Sequence, residues 1–152
     1  MKKYIIIILF ILACSSSDDE KNIPEFDGNI AYQYIIEQCD FGPRNPGSTG
    51  HQQFANFLEN YLLKNSDKVI IQDFNYLEHI TGEDRKGKNL VAQFNLEAEE
   101  RLLIGAHWDT RAVADEDPNP DNRSIPILGA NDGASGTAVL MELAKIFSNN
   151  PP

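Results

Sequence analysis

The chain has 152 residues, long enough for one modest domain with a hydrophobic core. An apolar fraction of 41% and an aromatic fraction of 9% are those of a globular protein and exclude a wholly disordered one. A formal net charge of -10 excludes nucleic acid as a partner, because a phosphate backbone would be repelled.

The first residues read as an export signal. Lys2 and Lys3 precede an apolar run from Tyr4 to Ala13, well short of the roughly 20 residues that span a bilayer. The run ends Ile11-Leu12-Ala13-Cys14, which resembles a bacterial lipobox, where the cysteine is acylated and becomes the first residue of the mature protein. An ordinary signal peptide with an incidental cysteine is the alternative. Ser15, in the place after the cysteine, implies sorting to the outer membrane in lipoproteins of this kind. The expectation is a signal peptide over 1–13, then an acylated Cys14 and flexible linker over 14–28. The protein would be exported and lipid-anchored to the outer membrane, on its periplasmic or surface face. Asp18-Asp19-Glu20 reads either as a surface-export tag or as a solvated linker. With Cys14 acylated, Cys39 is a lone thiol, expected as a small buried hydrophobe.

Residues 29–152 carry the folded part. Asn29 is expected to cap a helix with Ile30, Tyr34 and Ile35 on one side. Phe41-Gly42-Pro43-Arg44-Asn45-Pro46-Gly47-Ser48 reads as a stiff turn. Ser48 or Thr49 opens a second helix, whose Phe54, Phe57, Leu58, Tyr61 and Leu62 form an apolar stripe that runs out at Asn65. Strands are expected over Lys68–Tyr76, Asn89–Asn95 and Arg101–Ala106, with Thr81–Lys88 as the hairpin-like connection. Ala134–Phe147 predicts a helix, with Glu142 on its solvated face. The order of elements points to an α/β fold, a sandwich of helices around a mixed β-sheet.

Two clusters carry the chemistry. His107-Trp108-Asp109 follows the most apolar strand, at the C-terminal edge where open α/β sheets put their sites. There a carboxylate can take one imidazole N–H and orient the ring toward a metal, although a surface turn yields the same tripeptide. Gly129-Ala130-Asn131-Asp132-Gly133-Ala134-Ser135-Gly136 surrounds one acid with small residues before a helix. It suits close approach to a ligand, or simply an Asp N-cap. Trp108 could stack on a substrate or be buried at the strand end. Asp115, Asp117, Asn119 and Asp121 mimic the start of a calcium loop, but Pro120 and Pro126 stand where that loop needs Gly and Glu; a rigid loop fits better. His51 and His79 are expected in solvent.

Taken together, His107-Trp108-Asp109-Thr110-Arg111, Asp115-Glu116-Asp117-Pro118 and Pro126–Gly136 resemble the zinc-dependent glutaminyl-peptide cyclotransferases of bacteria, which share their fold with two-zinc aminopeptidases. Phe41-Gly42-Pro43-Arg44 and Pro46-Gly47-Ser48 resemble the same family's N-terminal turn, and Ala112 departs from its pattern. The resemblance implies that Asp132 is a zinc ligand, bridging two metals in the aminopeptidases. His107 would bind metal only in that two-zinc case, and Asp109 would orient His107. It also implies a cis peptide after Asp132 in the metal-bound relatives. The family's general-base Glu, a ligand Glu and a late His find no match after Asp132. The reading is therefore the N-terminal part of a longer enzyme, inactive alone, with peptide or protein N-termini as substrates. A zinc aminopeptidase and a non-catalytic truncated surface lipoprotein are the alternatives.

Overall fold

The computed structural model describes residues 23–79 and 82–152. The expected signal peptide over 1–13, Cys14 and the first part of the linker lie outside the described residues.

Asp27, rather than Asn29, caps the first helix, α1 (Gly28–Asp40). Its carboxylate accepts from the backbone N–H of Asn29 at 2.8 Å and of Ile30 at 3.2 Å. Both residue types cap well, but an anion also complements the positive end of the helix dipole, and the helix starts two residues earlier. Helix α2 (Thr49–Lys64) begins where expected, with the Ser48 hydroxyl accepting from His51 N–H at 3.0 Å and donating to the Pro43 carbonyl at 3.0 Å. It ends at Asn65.

Strands β1 (Lys68–Leu77) and β2 (Asp84–Gln93) pair antiparallel, from Lys68 opposite Gln93 to Leu77 opposite Asp84. The connection is thus shorter than expected, because residues 84–88 belong to β2. The Glu78 N–H donates to the Glu83 carbonyl at 2.9 Å and closes the hairpin. Much of β1 faces solvent, so the charged run Asp84-Arg85-Lys86 is tolerated in the ribbon, and Gly87 leaves room for the Phe74 ring opposite.

The expected strand Arg101–Ala106 pairs with no strand among the described residues. Leu102 is 87% exposed, Leu103 85% and Ile104 50%. A strand is a property of a pair, and here the partner edge is missing. The α/β architecture is therefore present in part, as three α-helices, a short 3-10 turn over Pro120–Asn122 and one antiparallel pair among the described residues.

Helix α3 (Ala134–Asn149) packs on α1. The core gathers Tyr34, Phe54, Leu58, Leu62, Trp108, Ala138 and Met141, with Val69, Leu90, Ala92 and Phe94 of the hairpin region against it. Burial of each large apolar side chain contributes roughly 1.5–3 kcal/mol. The Tyr61 hydroxyl donates to the Met141 carbonyl at 2.9 Å and lies 3.0 Å from the Tyr34 hydroxyl; burial raises its pKa above the ordinary tyrosine value. Glu142 is buried rather than solvated, because it continues the i+4 row Ala134–Ala138 into the interior. Its Oε2 has no hydrogen-bond partner. Cys39 is a free thiol and half-buried.

Candidate metal centre

Residues 107–110 alternate in orientation, as extended backbone does. Trp108 and Thr110 point inward and are buried. The Trp108 indole N–H donates to the Lys88 carbonyl at 3.2 Å, and the ring stacks on His51 with centroids 4.5 Å apart. The Thr110 hydroxyl accepts the Arg44 backbone N–H at 2.8 Å. His107 and Asp109 therefore point outward, with side chains 57% and 47% exposed.

Opposite them lies the glycine-rich turn before α3. Gly133 sits at the helix start with φ 96, and no side chain caps the helix. A β-carbon there would stand 2.7 Å from the Asp109 carbonyl oxygen and 3.3 Å from His107 Cε1, so only glycine permits this approach. Asp132 is thus no N-cap. Its Oδ1 instead lies 3.0 Å from His107 Nε2. His107 Nδ1 lies 3.1 Å from the Asp109 carbonyl oxygen and 3.5 Å from the Asp109 carboxylate. Asp109 therefore approaches the His107 ring more closely with its backbone carbonyl than with its carboxylate. The Asp132–Gly133 peptide bond is trans.

This arrangement has a chemical consequence. If Nδ1–H donates to the Asp109 carbonyl, the Nε2 lone pair faces a carboxylate oxygen at 3.0 Å. Two lone pairs at that distance repel, and a proton or a cation between them reconciles them. An imidazole nitrogen and a carboxylate oxygen are zinc donors, so the pair fits two positions of a zinc site. No group of three His, Cys, Asp or Glu side chains able to hold a metal occurs among the described residues, so the site is not closed by them.

Two residues expected in a turn and in solvent hold the frame instead. Arg44 was expected only as part of a turn, yet it is fully buried. It donates to the carbonyls of Trp108 at 3.1 Å, Gln38 at 3.0 Å, Leu128 at 3.2 Å and Gly129 at 3.1 Å. One guanidinium therefore ties the His107 segment to the Asp132 turn. Burial lowers its pKa from the ordinary arginine value, while the Cys39 thiol and Asp109 act the other way. An arginine inside a proline-rich turn was the only signal, and a weak one. His51, expected in solvent, is 8% exposed. Its signal was readable: it stands three residues before Phe54 and extends the α2 stripe by one turn. Burial lowers its pKa, Asp109 opposes this, and Lys88 reinforces it. His79 is exposed, as expected.

A cleft of about 400 Å³ opens beside His107 and Asp109, lined also by His51, Phe74, Tyr76 and Lys88. Burial, then Asp109 and Glu78, raise the Tyr76 pKa, against Arg85. The loop 111–128 skirts the site and is held by its own side chains. Asp117 accepts the Asn119 N–H at 2.8 Å, Asn119 accepts that of Asp121 at 3.1 Å, and Arg111 pairs with Asp115 at 2.6 Å.

Residues 89–152 match the family described as Peptidase family M28. The chain is 39% identical to a glutaminyl cyclase of Bacteroides thetaiotaomicron, solved bound to N-acetylhistamine, with a TM-score of 0.81. It is also 39% identical to a leucine aminopeptidase precursor of Bacteroides thetaiotaomicron, with a TM-score of 0.82. A zinc-dependent exopeptidase of Parabacteroides distasonis matches at 33% identity and a TM-score of 0.82. Each match covers 86% of this chain but only 44%, 45% and 44% of those structures respectively, so the chain spans under half their length. The chain carries the N-terminal portion of the fold shared by bacterial glutaminyl cyclases and zinc-dependent exopeptidases.

Proposed function

We propose that this chain forms one wall of a zinc-dependent active site that takes the free N-terminus of a peptide, and that the whole protein converts N-terminal glutamine to pyroglutamate. The convergence of Asp132 on the Nε2 of His107 carries this reading. Asp132 would hold the metal, and the Asp109 carbonyl fixes the ring of His107 beside it. When bound, zinc supplies Lewis-acid polarisation of the γ-carboxamide carbonyl. The new bond joins the α-amine nitrogen to the carboxamide carbonyl carbon, Cδ, the carbon–nitrogen bond of the carboxamide breaks, and ammonia leaves with the proton given up by the amine. The cleft over His51, Phe74 and Tyr76 would seat the substrate's first side chains.

Aminopeptidase activity is the second reading, favoured by the outward Nε2 of His107, which offers a donor to a second metal. The two differ in product and in stoichiometry. Incubating the protein with a glutaminyl peptide and reading the product by mass spectrometry decides between them. Pyroglutamyl peptide with one zinc per protein supports cyclisation; released free amino acid with two zincs supports hydrolysis. Neither product from a zinc-loaded, intact protein would leave a non-catalytic lipoprotein. Export and a lipid anchor at Cys14 on the outer membrane belong to the same proposal, resting on the apolar run that ends at Ala13-Cys14. Detergent partitioning of the wild type, lost in Cys14→Ala, is the outcome expected; unchanged partitioning would refute the anchor.

A further inference from the structure

Phe74 and Tyr76 stand two apart on β1 and so share one face of the ribbon, with ring centroids 6.0 Å apart. Neither packs into the hydrophobic core, and Phe74 is 43% exposed. Its ring is nonetheless held in place. Gly87 stands opposite, and a β-carbon there would overlap Cζ, Cε1 and Cε2 of Phe74. The missing side chain lets the far edge of the ring lie across β2, and both rings line the cleft beside His107 and Asp109. Pro46, Tyr76 and Asp109 also line a second cleft of about 140 Å³, bounded by Glu78 and Arg111, so the two hollows meet at Tyr76.

The basic side chains around the rings are already paired. Lys88 Nζ lies 3.5 Å from Glu59 and 3.9 Å from Asp73, and Arg85 pairs with Glu83 at 2.6 Å. The Asp109 side chain, 47% exposed, adds a negative group across the cleft. An acidic side chain would meet repulsion here, whereas a flat apolar one meets two aromatic rings. We propose that Phe74 and Tyr76 form an aromatic subsite for the peptide residue that follows the N-terminal one, and that the preferred substrates carry Phe, Tyr or Trp at that position. The cleft begins at His107, where the N-terminal residue would lie, so the next side chain of an extended peptide reaches the rings. The rest of the peptide leaves through the second hollow. This inference rests on the reading that the site takes a peptide N-terminus, and not on the reaction that follows.

Titrating Gln-Phe-amide, Ala-Phe-amide, Gln-Gly-amide and Gln-Glu-amide into the isotope-labelled chain, with zinc present, tests the subsite through its amide chemical shifts. Shifts are expected at residues 74–76 and 85–89. Both Phe peptides should bind roughly threefold to tenfold more tightly than the Gly and Glu peptides, the contribution of one aromatic pair. Phe74→Ser should erase that preference, and Tyr76→Phe should keep it, because the ring and not the hydroxyl makes the contact. Gly87→Ala should weaken it by pushing the Phe74 ring off β2, and the backbone at Gly87 has no positive φ to resist alanine. Unchanged shifts in α2 and α3 show that the variants stay folded. Equal affinities for the Phe and Gly peptides, tightest binding of the Glu peptide, or a preference that survives Phe74→Ser would overturn the subsite. The preference without pyroglutamate from any peptide supports the subsite and counts against cyclisation. Pyroglutamate formed at equal rates from all three Gln peptides supports cyclisation and overturns the subsite.

Discussion

Four backbone carbonyls, from α1, the 107–110 segment and the Asp132 turn, accept from the Arg44 guanidinium at 3.2 Å or less, and that of Gly42 accepts at 3.5 Å. The planar fork reaches all four, and the ring of Phe54 lies 5.6 Å from its central carbon. A lysine ammonium has three donors and no fork, so Arg44→Lys leaves buried acceptors unpaired. The expected loss is about 2–4 kcal/mol, read as a lower denaturant midpoint at unchanged slope. His51 gives a pH dependence whose sign is fixed by its environment. Its folded pKa lies below the ordinary value of 6.5, so the unfolded chain takes up the proton first. Its contribution to stability is full above pH 6.5 and is lost as pH falls through the lower folded pKa. His51→Phe keeps an aromatic ring against Trp108 and should narrow the gap in melting temperature between pH 7.5 and pH 5 (about those values) relative to wild type. A gap as wide as in the wild type would show that His51 is not the group responsible. His107, Asp109 and Asp132 were legible in the sequence because their chemistry is packed into short contiguous motifs. Arg44 was not, because its partners lie as far as 85 positions away along the chain.

Helix ends separate local signals from non-local ones. Ser48 was legible as the start of α2 because hydroxyl, spacing and apolar stripe agree within a few residues. At α1 two competent caps stand two apart, and the bonds to Asp27 decide which is used. Asp27→Ala should cost about 1 kcal/mol, whereas Asn29→Ala should cost nothing and gain up to a few tenths, since Ala is the better helix former inside α1. Equal losses in thermal denaturation would contradict the assignment. The hairpin was legible in kind but not in extent, since Asp84-Arg85-Lys86 gives no strand pattern and joins β2 only through its register with β1. Residues 102–106 show the opposite case. Their composition is right for a strand, but strand pairing needs a neighbour that local sequence does not contain. Glu142 was misplaced for a similar reason: its row on α3 faces inward only because α1 lies there.

At the scale of the whole molecule, the candidate metal centre stands at an open edge of the fold. The side chains of His107 and Asp132 are 57% and 76% exposed, and no third protein donor joins them among the described residues. A zinc ion held by two donors keeps water in its remaining positions, so little of the free energy of a closed site is gained. The 152-residue chain should therefore bind zinc with a Kd weaker than about 1 μM, and titration calorimetry in a non-chelating buffer reads this directly. Ligand linkage gives the stability counterpart: at a zinc concentration equal to Kd the folded state gains about 0.4 kcal/mol, too small for a marked shift in melting temperature. His107→Ala and Asp132→Ala should each remove what binding there is, whereas Asp115→Ala, in the neighbouring acidic loop, should leave it unchanged. Sub-micromolar binding by the isolated chain that survives Asp132→Ala would place the metal elsewhere and remove the basis for reading this edge as a zinc site.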